Sequence, residues 1–157
     1  NPSDKYNASL ELSLGNTKAY TTQVGAWMGG RADKFVAPGE IARFELRCVN
    51  GIGGYTDSHA CGVSTGSAGL YNPNYTLKND GGHYLVGATS NGYTTNDYLG
   101  FRVDRVTNNL YVYKNGVSFT TIVLPSTGNL YPLYQLLGPV AGCTINCDEA
   151  TFVHTIP

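Results

Sequence analysis

The stretch YTTNDYLGFRVDRVTNNLYVYKNGVSFTTIVLPSTGNLYPLYQLLG, residues 93–138, decides the fold of this chain. Within it Leu99, Phe101 and Val103 alternate with small or polar residues, which is the period-two pattern of a half-buried strand. The Asn-Gly pair at 115–116 suits the positive φ angles of a two-residue hairpin turn. The stretch therefore predicts an antiparallel β-meander. It holds few ionisable groups for chemistry, which is typical of a binding module rather than an enzyme.

The composition narrows the classes of protein that the chain can belong to. Its 157 residues suit one domain, and we expect residues 1–157 to form a single unit excised from a larger protein. Charged residues make up 13% of the chain, against about 25% in a typical domain. The net charge of −1 provides no electrostatic footprint for nucleic acid. No apolar run is long enough for a membrane span, so we expect no membrane insertion.

Strand patterns recur along the whole chain, and no window shows the 3.6-residue periodicity of a helix. Strands are predicted at residues 8–14, 19–27, 40–49, 60–64, 83–88, 98–105, 110–114, 117–124, 130–137 and 143–154. Loops are predicted at residues 29–39, 50–59, 65–82 and 89–96. Short strands separated by turn signals every 8–12 residues or so predict a sandwich or barrel of antiparallel sheets.

The four cysteines leave the redox compartment open. Cys48 and Cys61 flank a predicted loop, so a bridge between them is geometrically conceivable. Cys143 and Cys147 lie about 13 Å apart if the predicted strand is fully extended, which is beyond the reach of a disulfide. We therefore predict buried thiols for this second pair.

Several segments in the right order resemble a SPRY domain, covering about two-thirds of the chain. They are GEIARFEL at 39–46, ACGVSTGSAGL at 60–70, NDYLGFRVDRVTNNLYVYKNGV at 96–117, LYPLYQLLG at 130–138 and CTINCDEATFVHTIP at 143–157. Asn96-Asp97 stands where the family usually has Gly-Asp, and Tyr111 and Tyr113 stand where a tryptophan is often found.

The resemblance implies a fold and a mode of action. The fold is the bent antiparallel β-sandwich of the concanavalin A-like type, an all-β jelly-roll arrangement. Members of the family generally bind proteins, peptides or sometimes glycans through loops at one end of the sandwich, without catalysis. The resemblance thus implies a non-catalytic recognition domain.

Catalytic carboxylates are the alternative to test, because the same architecture hosts glycoside hydrolases. Such enzymes need two carboxyl groups about 5–9.5 Å apart. Glu40 and Glu45 are five positions apart and face opposite sides of a strand, and the neighbours Asp148 and Glu149 also point in opposite directions. We predict no catalytic residues. The scattered histidines lack metal-ligand spacing, so we predict no metal and no cofactor.

Tyrosines on the predicted loops are the candidates for binding. Tyrosine offers a large contact area at low entropic cost, and its ring stacks on sugars while Asn and Asp bond their hydroxyls. The loop LYNPNYTLKNDGG, residues 70–82, contains both kinds of side chain. The predicted ligand-binding residues are Tyr55, Asp57, His59, Tyr71, Asn74, Tyr75 and Tyr93.

A low content of charged residues together with abundant Gly, Asn, Thr, Ser and Tyr is typical of viral and phage surface domains. The leading hypothesis is an attachment or decoration module on a virion surface or in the extracellular space, which binds a host-surface glycan or protein, as part of a larger oligomeric particle. The alternative is a cytoplasmic SPRY adaptor that binds a partner peptide. A sandwich-fold glycoside hydrolase ranks third.

Overall fold

A computed structural model describes the greater part of the chain. The described residues are 10–13, 18–21, 27–32, 34–50, 59–65, 78–80, 82–87, 92–94, 96–137 and 142–157. Among them are twelve strands and one short 3₁₀ helix, Glu149–Thr151. No helix in this part of the chain is long and apolar enough to cross a membrane.

The strands form two antiparallel sheets, as predicted for an all-β sandwich. The seven-stranded sheet has the spatial order β1 (Leu10–Ser13), β2 (Lys18–Thr21), β12 (Gly142–Asn146), β4 (Ile41–Asn50), β8 (Tyr98–Asp104), β9 (Asn109–Lys114) and β10 (Val117–Val123). The five-stranded sheet has the order β3 (Trp27–Arg31), β11 (Tyr131–Leu137), β5 (His59–Ser64), β7 (His83–Gly87) and β6 (Lys78–Asp80).

The main core consists of apolar side chains from both sheets. Phe44 and Phe101 lie side by side on β4 and β8, with ring centroids 4.7 Å apart and an interplanar angle of 13°. The larger sheet also contributes Leu46, Leu99, Val103, Leu110, Val112 and Ile122. The smaller sheet contributes Cys61, Val63, Tyr84, Val86 and Tyr134. This confirms the inward face that the alternation at 99–103 predicts.

Each corner of the β8–β9–β10 meander has a local cause. At the first turn the Asp104 carboxylate accepts hydrogen bonds from the backbone N–H groups of Val106 and Thr107, at 3.0 and 2.9 Å. At the second, Asn115 and Gly116 have φ angles of 50° and 80°, as expected for an Asn-Gly hairpin turn. The register of β10 on β9 shifts between Ser118 and Thr120, which marks a β-bulge in this edge strand.

The turn before β8 explains the Asn-Asp pair of the sequence. Asn96 has a φ of 72°, in the left-handed region that favours glycine but that asparagine tolerates. Asp97 accepts hydrogen bonds from the Thr94 N–H at 2.7 Å and from Asn115 Nδ2 at 2.7 Å. Although burial opposes the shift, these bonds and the Lys114 ammonium hold the pKa of Asp97 below its ordinary value. The turn is thereby fastened to the β9–β10 hairpin.

Several sequence predictions of element boundaries are wrong. The predicted strand at 19–27 is not one strand, since β2 ends at Thr21 and Trp27 begins β3. The predicted loop at 29–39 begins inside β3, which runs to Arg31. The predicted loop at 65–82 contains the short strand β6. The predicted strand at 143–154 ends at Asn146, because Asp148 then caps the 3₁₀ helix by accepting a hydrogen bond from the Ala150 N–H at 3.2 Å.

The cysteines differ from one another in exposure. Cys61 carries a free thiol, so the conceivable bridge between Cys48 and Cys61 is not formed. Cys143 is buried as predicted, whereas Cys147 is exposed, contrary to the prediction, because β12 has ended before it. Burial raises the pKa of the Cys61 thiol well above its ordinary value.

Candidate functional site

A groove of about 290 Å³ lies where both sheets meet the segment between β3 and β4. Its walls come from that segment, from the first residues of β4, from the start of β11 and from the residues after β12. The lining residues are Ala32, Lys34, Phe35, Val36, Ile41, Ala42, Arg43, Phe44, Pro132, Cys147 and Glu149. We call this surface the edge groove.

Two large apolar side chains stand exposed at the edge groove. Phe35 is 48% exposed and Ile41 is 44% exposed. The Phe35 ring packs edge-on against Tyr131, with centroids 5.6 Å apart. Exposed apolar groups gathered around a concavity are typical of interaction sites, whereas scattered ones need no explanation.

The segment that carries Phe35 is fixed by backbone hydrogen bonds. Val36 forms a bridge with Leu130, with N···O distances of 2.7 and 3.1 Å. The Glu40 carboxylate accepts a hydrogen bond from the Ala37 N–H at 2.8 Å. Arg105 is buried, and its guanidinium donates to the carbonyl oxygens of Val36, Gly128 and Pro125. This wall of the edge groove is therefore preformed.

Charged groups lie at the rim of the edge groove. Arg43 Nη1 is 3.8 Å from Glu149 Oε2, a long ion pair between partly exposed groups. Arg43 Nε also donates to the carbonyl oxygen of Pro157 at 3.2 Å. Lys34 is exposed, and no carboxylate of the described residues lies within ion-pair distance of its ammonium. Among the described residues, the rim thus offers the Arg43 guanidinium, held by two contacts, and the Lys34 ammonium, which has no carboxylate partner.

Cys147 brings a thiol to the same groove. Partial desolvation raises the pKa of this thiol above its ordinary value, although the Lys34 ammonium opposes the shift. The thiol is therefore protonated at neutral pH, and a protonated thiol is a poor nucleophile. Of the residues that line the groove, Glu149 is the one that carries a carboxylate.

The structure places two of the sequence-predicted site residues. Tyr93 is only 2% exposed, and its hydroxyl donates to the Val86 carbonyl oxygen at 3.1 Å. Its ring thus belongs to the core and offers no face to a ligand. His59 is the first residue of β5, and its side chain lies outside the description. The remaining predicted residues also lie outside the described part of the chain: Tyr55, Asp57, Tyr71, Asn74 and Tyr75.

The edge groove lies away from His59, the predicted site residue at the start of β5. His59 pairs with Leu136, whereas Val63 pairs with Pro132, a lining residue of the groove. Four residues of antiparallel strand span about 13 Å, so the groove is well separated from the start of β5. Sequence reasoning missed Phe35 and Ile41. One feature of the sequence could have indicated Ile41. It shares a face of a predicted strand with Arg43, and on such an outward face a polar residue is expected.

Comparisons with known proteins agree on the fold. No protein-family model matches the sequence, and no curated protein matches it. The crystal structure of the human HERC1 SPRY domain is similar with a TM-score of 0.73 and 16% identity, covering 95% of this chain and 98% of that one. The solution structure of the NEUZ (NHR) domain of Drosophila melanogaster Neuralized has a TM-score of 0.68 and 12% identity, with coverages of 92% and 89%.

A third structure, the TRIM65 PSpry domain, is similar with a TM-score of 0.61 and 14% identity, covering 88% of this chain and 84% of that one. At such identities the likeness concerns the fold. The chain is a SPRY-like β-sandwich, as the order of its sequence motifs predicts.

Proposed function

We propose that this domain is a non-catalytic recognition module that binds a segment of another protein in the edge groove. The observation that carries the proposal is the pair of exposed side chains Phe35 and Ile41 on a preformed concave surface. Peptide-binding sites commonly bury a few bulky apolar anchors in such grooves, and polar groups at the rim fix the orientation. The SPRY-like fold supports a binding role of this kind.

The chemistry of the edge groove favours binding over catalysis. Hydrolysis of a glycosidic bond needs two carboxyl groups, and the groove lining contributes Glu149 alone, next to Arg43. The Cys147 thiol has a raised pKa and is therefore protonated at neutral pH, which makes it a poor nucleophile. A glycoside hydrolase therefore has no support from this groove.

A random peptide library displayed on phage tests the proposal. The library is selected on the immobilised domain, and the affinity of each selected peptide is then measured for Ile41→Asp and Phe35→Ala variants. Because each change removes an apolar anchor, we expect about tenfold or greater weakening. The matched control is Val117→Asp, which places the same charge at an exposed valine of β10 outside the groove.

Two results would contradict the groove as the binding site. The first is a set of selected peptides that bind the Ile41→Asp variant as tightly as the parent domain. The second is equal weakening by Val117→Asp, which would indicate a general loss of structure or a site on β10.

The tyrosine-rich loops stay a second candidate site, favoured by the Tyr and Asn residues gathered at 55–75 in the sequence. This is the site of the attachment hypothesis, in which the domain decorates a virion surface and binds a host glycan or protein. A glycan array probed with the parent domain and with a Tyr55→Ala, Tyr71→Ala, Tyr75→Ala variant tests it. Selective binding that is lost in this variant and retained in Phe35→Ala would favour the loops; no glycan binding would leave the cellular peptide adaptor as the better hypothesis.

A further inference from the structure

The C-terminal residues 152–157, which we call the strap, lie across the outer face of the seven-stranded sheet. The backbone N–H groups of Val153 and His154 donate to the two carboxylate oxygens of Glu45, at 2.9 and 3.1 Å. Glu45 belongs to β4 and is only 3% exposed. A carboxylate so deeply buried requires partners that donate hydrogen bonds, and the strap supplies two of them.

A glycine on β8 forms a pit beneath the strap. A Cβ atom added to Gly100 would lie 2.7 Å from Cγ1 of Ile156, so the isoleucine side chain occupies the space that any other residue would fill. Ile156 is consequently 6% exposed. The His154 ring lies edge-on to Tyr98, with centroids 5.2 Å apart.

The strap is held in the way that a bound peptide is held. His154 and Ile156 point toward the sheet while Val153, Thr155 and Pro157 are exposed, which is the alternation of an extended peptide on a surface. Within the described chain, no backbone–backbone hydrogen bond joins residues 153–157 to a strand. Its attachments are instead the Glu45 carboxylate, the pit at Gly100 and the bond from Arg43 Nε to the Pro157 carbonyl oxygen.

We propose that this outer face is a second peptide-binding cleft, which the strap occupies as an exchangeable intramolecular ligand. The cleft takes an extended segment of the pattern His-x-Ile. Two successive backbone amides bind the Glu45 carboxylate, and the aliphatic side chain fills the pit above Gly100. The cleft meets the edge groove at Arg43, which binds Pro157 of the strap through Nε and Glu149 through Nη1, but no residue of the strap lines the groove.

The direct test supplies the strap as a separate molecule. A domain that ends at Thr151 is titrated by calorimetry with the synthetic peptide FVHTIP, which has the sequence of residues 152–157. We expect saturable binding, weakened about tenfold or more for the peptide FVHTAP, because the alanine leaves the pit unfilled. The truncated domain with Phe35→Ala is the matched control and should bind FVHTIP unchanged. No binding by a folded truncated domain, or equal binding of both peptides, would overturn the proposal.

The intact chain provides a second test that does not depend on truncation. In a hydrogen-exchange experiment, the amide protons of Val153 and His154 should exchange with solvent about 100-fold faster than those of Phe101 and Val112. The reason is that the strap opens without unfolding of the sandwich. A Gly100→Ala variant, whose Cβ displaces Ile156, should accelerate exchange in the strap alone. Equal protection of the strap and the core strands, or acceleration of both by Gly100→Ala, would show that the strap is an integral part of the fold and would overturn the proposal.

Discussion

The β8–β10 meander and the edge groove are built on opposite principles. In the meander, strands that follow one another in sequence are neighbours in the sheet, and each corner is fixed by residues next to it, such as Asp104 and Asn115. In the edge groove, Phe35, Pro132 and Glu149 come from distant parts of the chain. Local chemistry thus encodes the scaffold, whereas the groove exists only after the sheets have formed. Substitutions in the two regions should therefore have opposite effects on stability and binding.

The largest loss of stability is expected for Phe101→Ala in the meander. The ring is fully buried and packs against Phe44 at 4.7 Å, so its removal leaves a cavity between the sheets. Truncation of a buried phenylalanine typically lowers the free energy of unfolding by about 3–5 kcal/mol. Urea denaturation followed by tyrosine fluorescence measures this loss. A loss of unfolding free energy below about 1 kcal/mol would contradict the prediction, because it would mean that neighbouring side chains fill the space left by the ring.

A loss that depends on pH is expected for Asp104→Asn. The Thr107 N–H contributes most to holding the pKa of Asp104 below its ordinary value, and the Val106 N–H and the Arg102 guanidinium at 2.7 Å act in the same direction, while burial opposes them. Because the native pKa lies below that of the unfolded chain, the carboxylate stabilises the fold above about pH 4. This contribution is lost as the pH falls through the native value.

Denaturation of the parent domain and of Asp104→Asn at pH 7 and at pH 2 measures the effect. The variant should be less stable by about 2 kcal/mol at pH 7, since it replaces a charged acceptor of several hydrogen bonds. The difference should shrink at pH 2, because the unfolded parent chain then binds a proton at this carboxyl and the parent domain loses stability that the ionised group contributes at pH 7. An equal difference in stability at both pH values would contradict this prediction. It would indicate that the amide group of the Asp104→Asn variant destabilises the turn for steric reasons and not through the loss of charge.

A smaller loss is expected for Gly116→Ala in the second turn of the meander. Gly116 has a φ of 80°, where a side chain costs about 1 kcal/mol, and the new Cβ would lie 3.4 Å from the His154 side chain. Asn108→Gly in the first turn is the matched control, because glycine also accepts the φ of 55° at that position. Thermal denaturation of both variants measures the contrast, and equal destabilisation would show that the asparagine side chain matters more than the turn geometry.

The smallest effect on stability is expected for Phe35→Ala in the edge groove. The ring is half exposed and makes its aromatic contact with Tyr131 alone among the described rings, so the free energy of unfolding should change by less than about 1 kcal/mol. The affinity for peptides selected on the groove should nevertheless fall. Loss of stability comparable with that of Phe101→Ala would remove the contrast between the two regions.

Sequence reasoning succeeded where the cause of a structure is local. The strand that was predicted to begin at Tyr98 does so and ends one residue earlier than expected, and the Asn-Gly turn has the expected geometry. It failed at β3, where Gly29-Gly30 reads as a loop. A Cβ on Gly30 would lie 2.2 Å from the Tyr134 hydroxyl, so this glycine admits a ring from a neighbouring strand rather than marking a turn. A contact over such a sequence distance leaves no local signal.

The same limit applies to the sites. Tyr93 lies on a predicted loop, where tyrosines often bind ligands, yet its environment is set by β7, where the Val86 carbonyl oxygen accepts a hydrogen bond from its hydroxyl. For Glu45, strand geometry predicts no catalytic partner. Its observed partners are amides of the strap, more than a hundred positions away, which periodicity alone cannot indicate.

The bulge in β10 affects whether this edge strand can pair with other copies of the chain at high concentration. Of the four edge strands in the described sheets, β10 is the longest, with seven residues, and it exposes Val117 and Val123. An uninterrupted strand of this kind would serve as a template on which a neighbouring molecule extends the sheet. The register shift between Ser118 and Thr120 divides it into two short runs and twists them out of line. The shape of this one strand thus disfavours sheet extension between copies of a chain that has few surface charges to repel them.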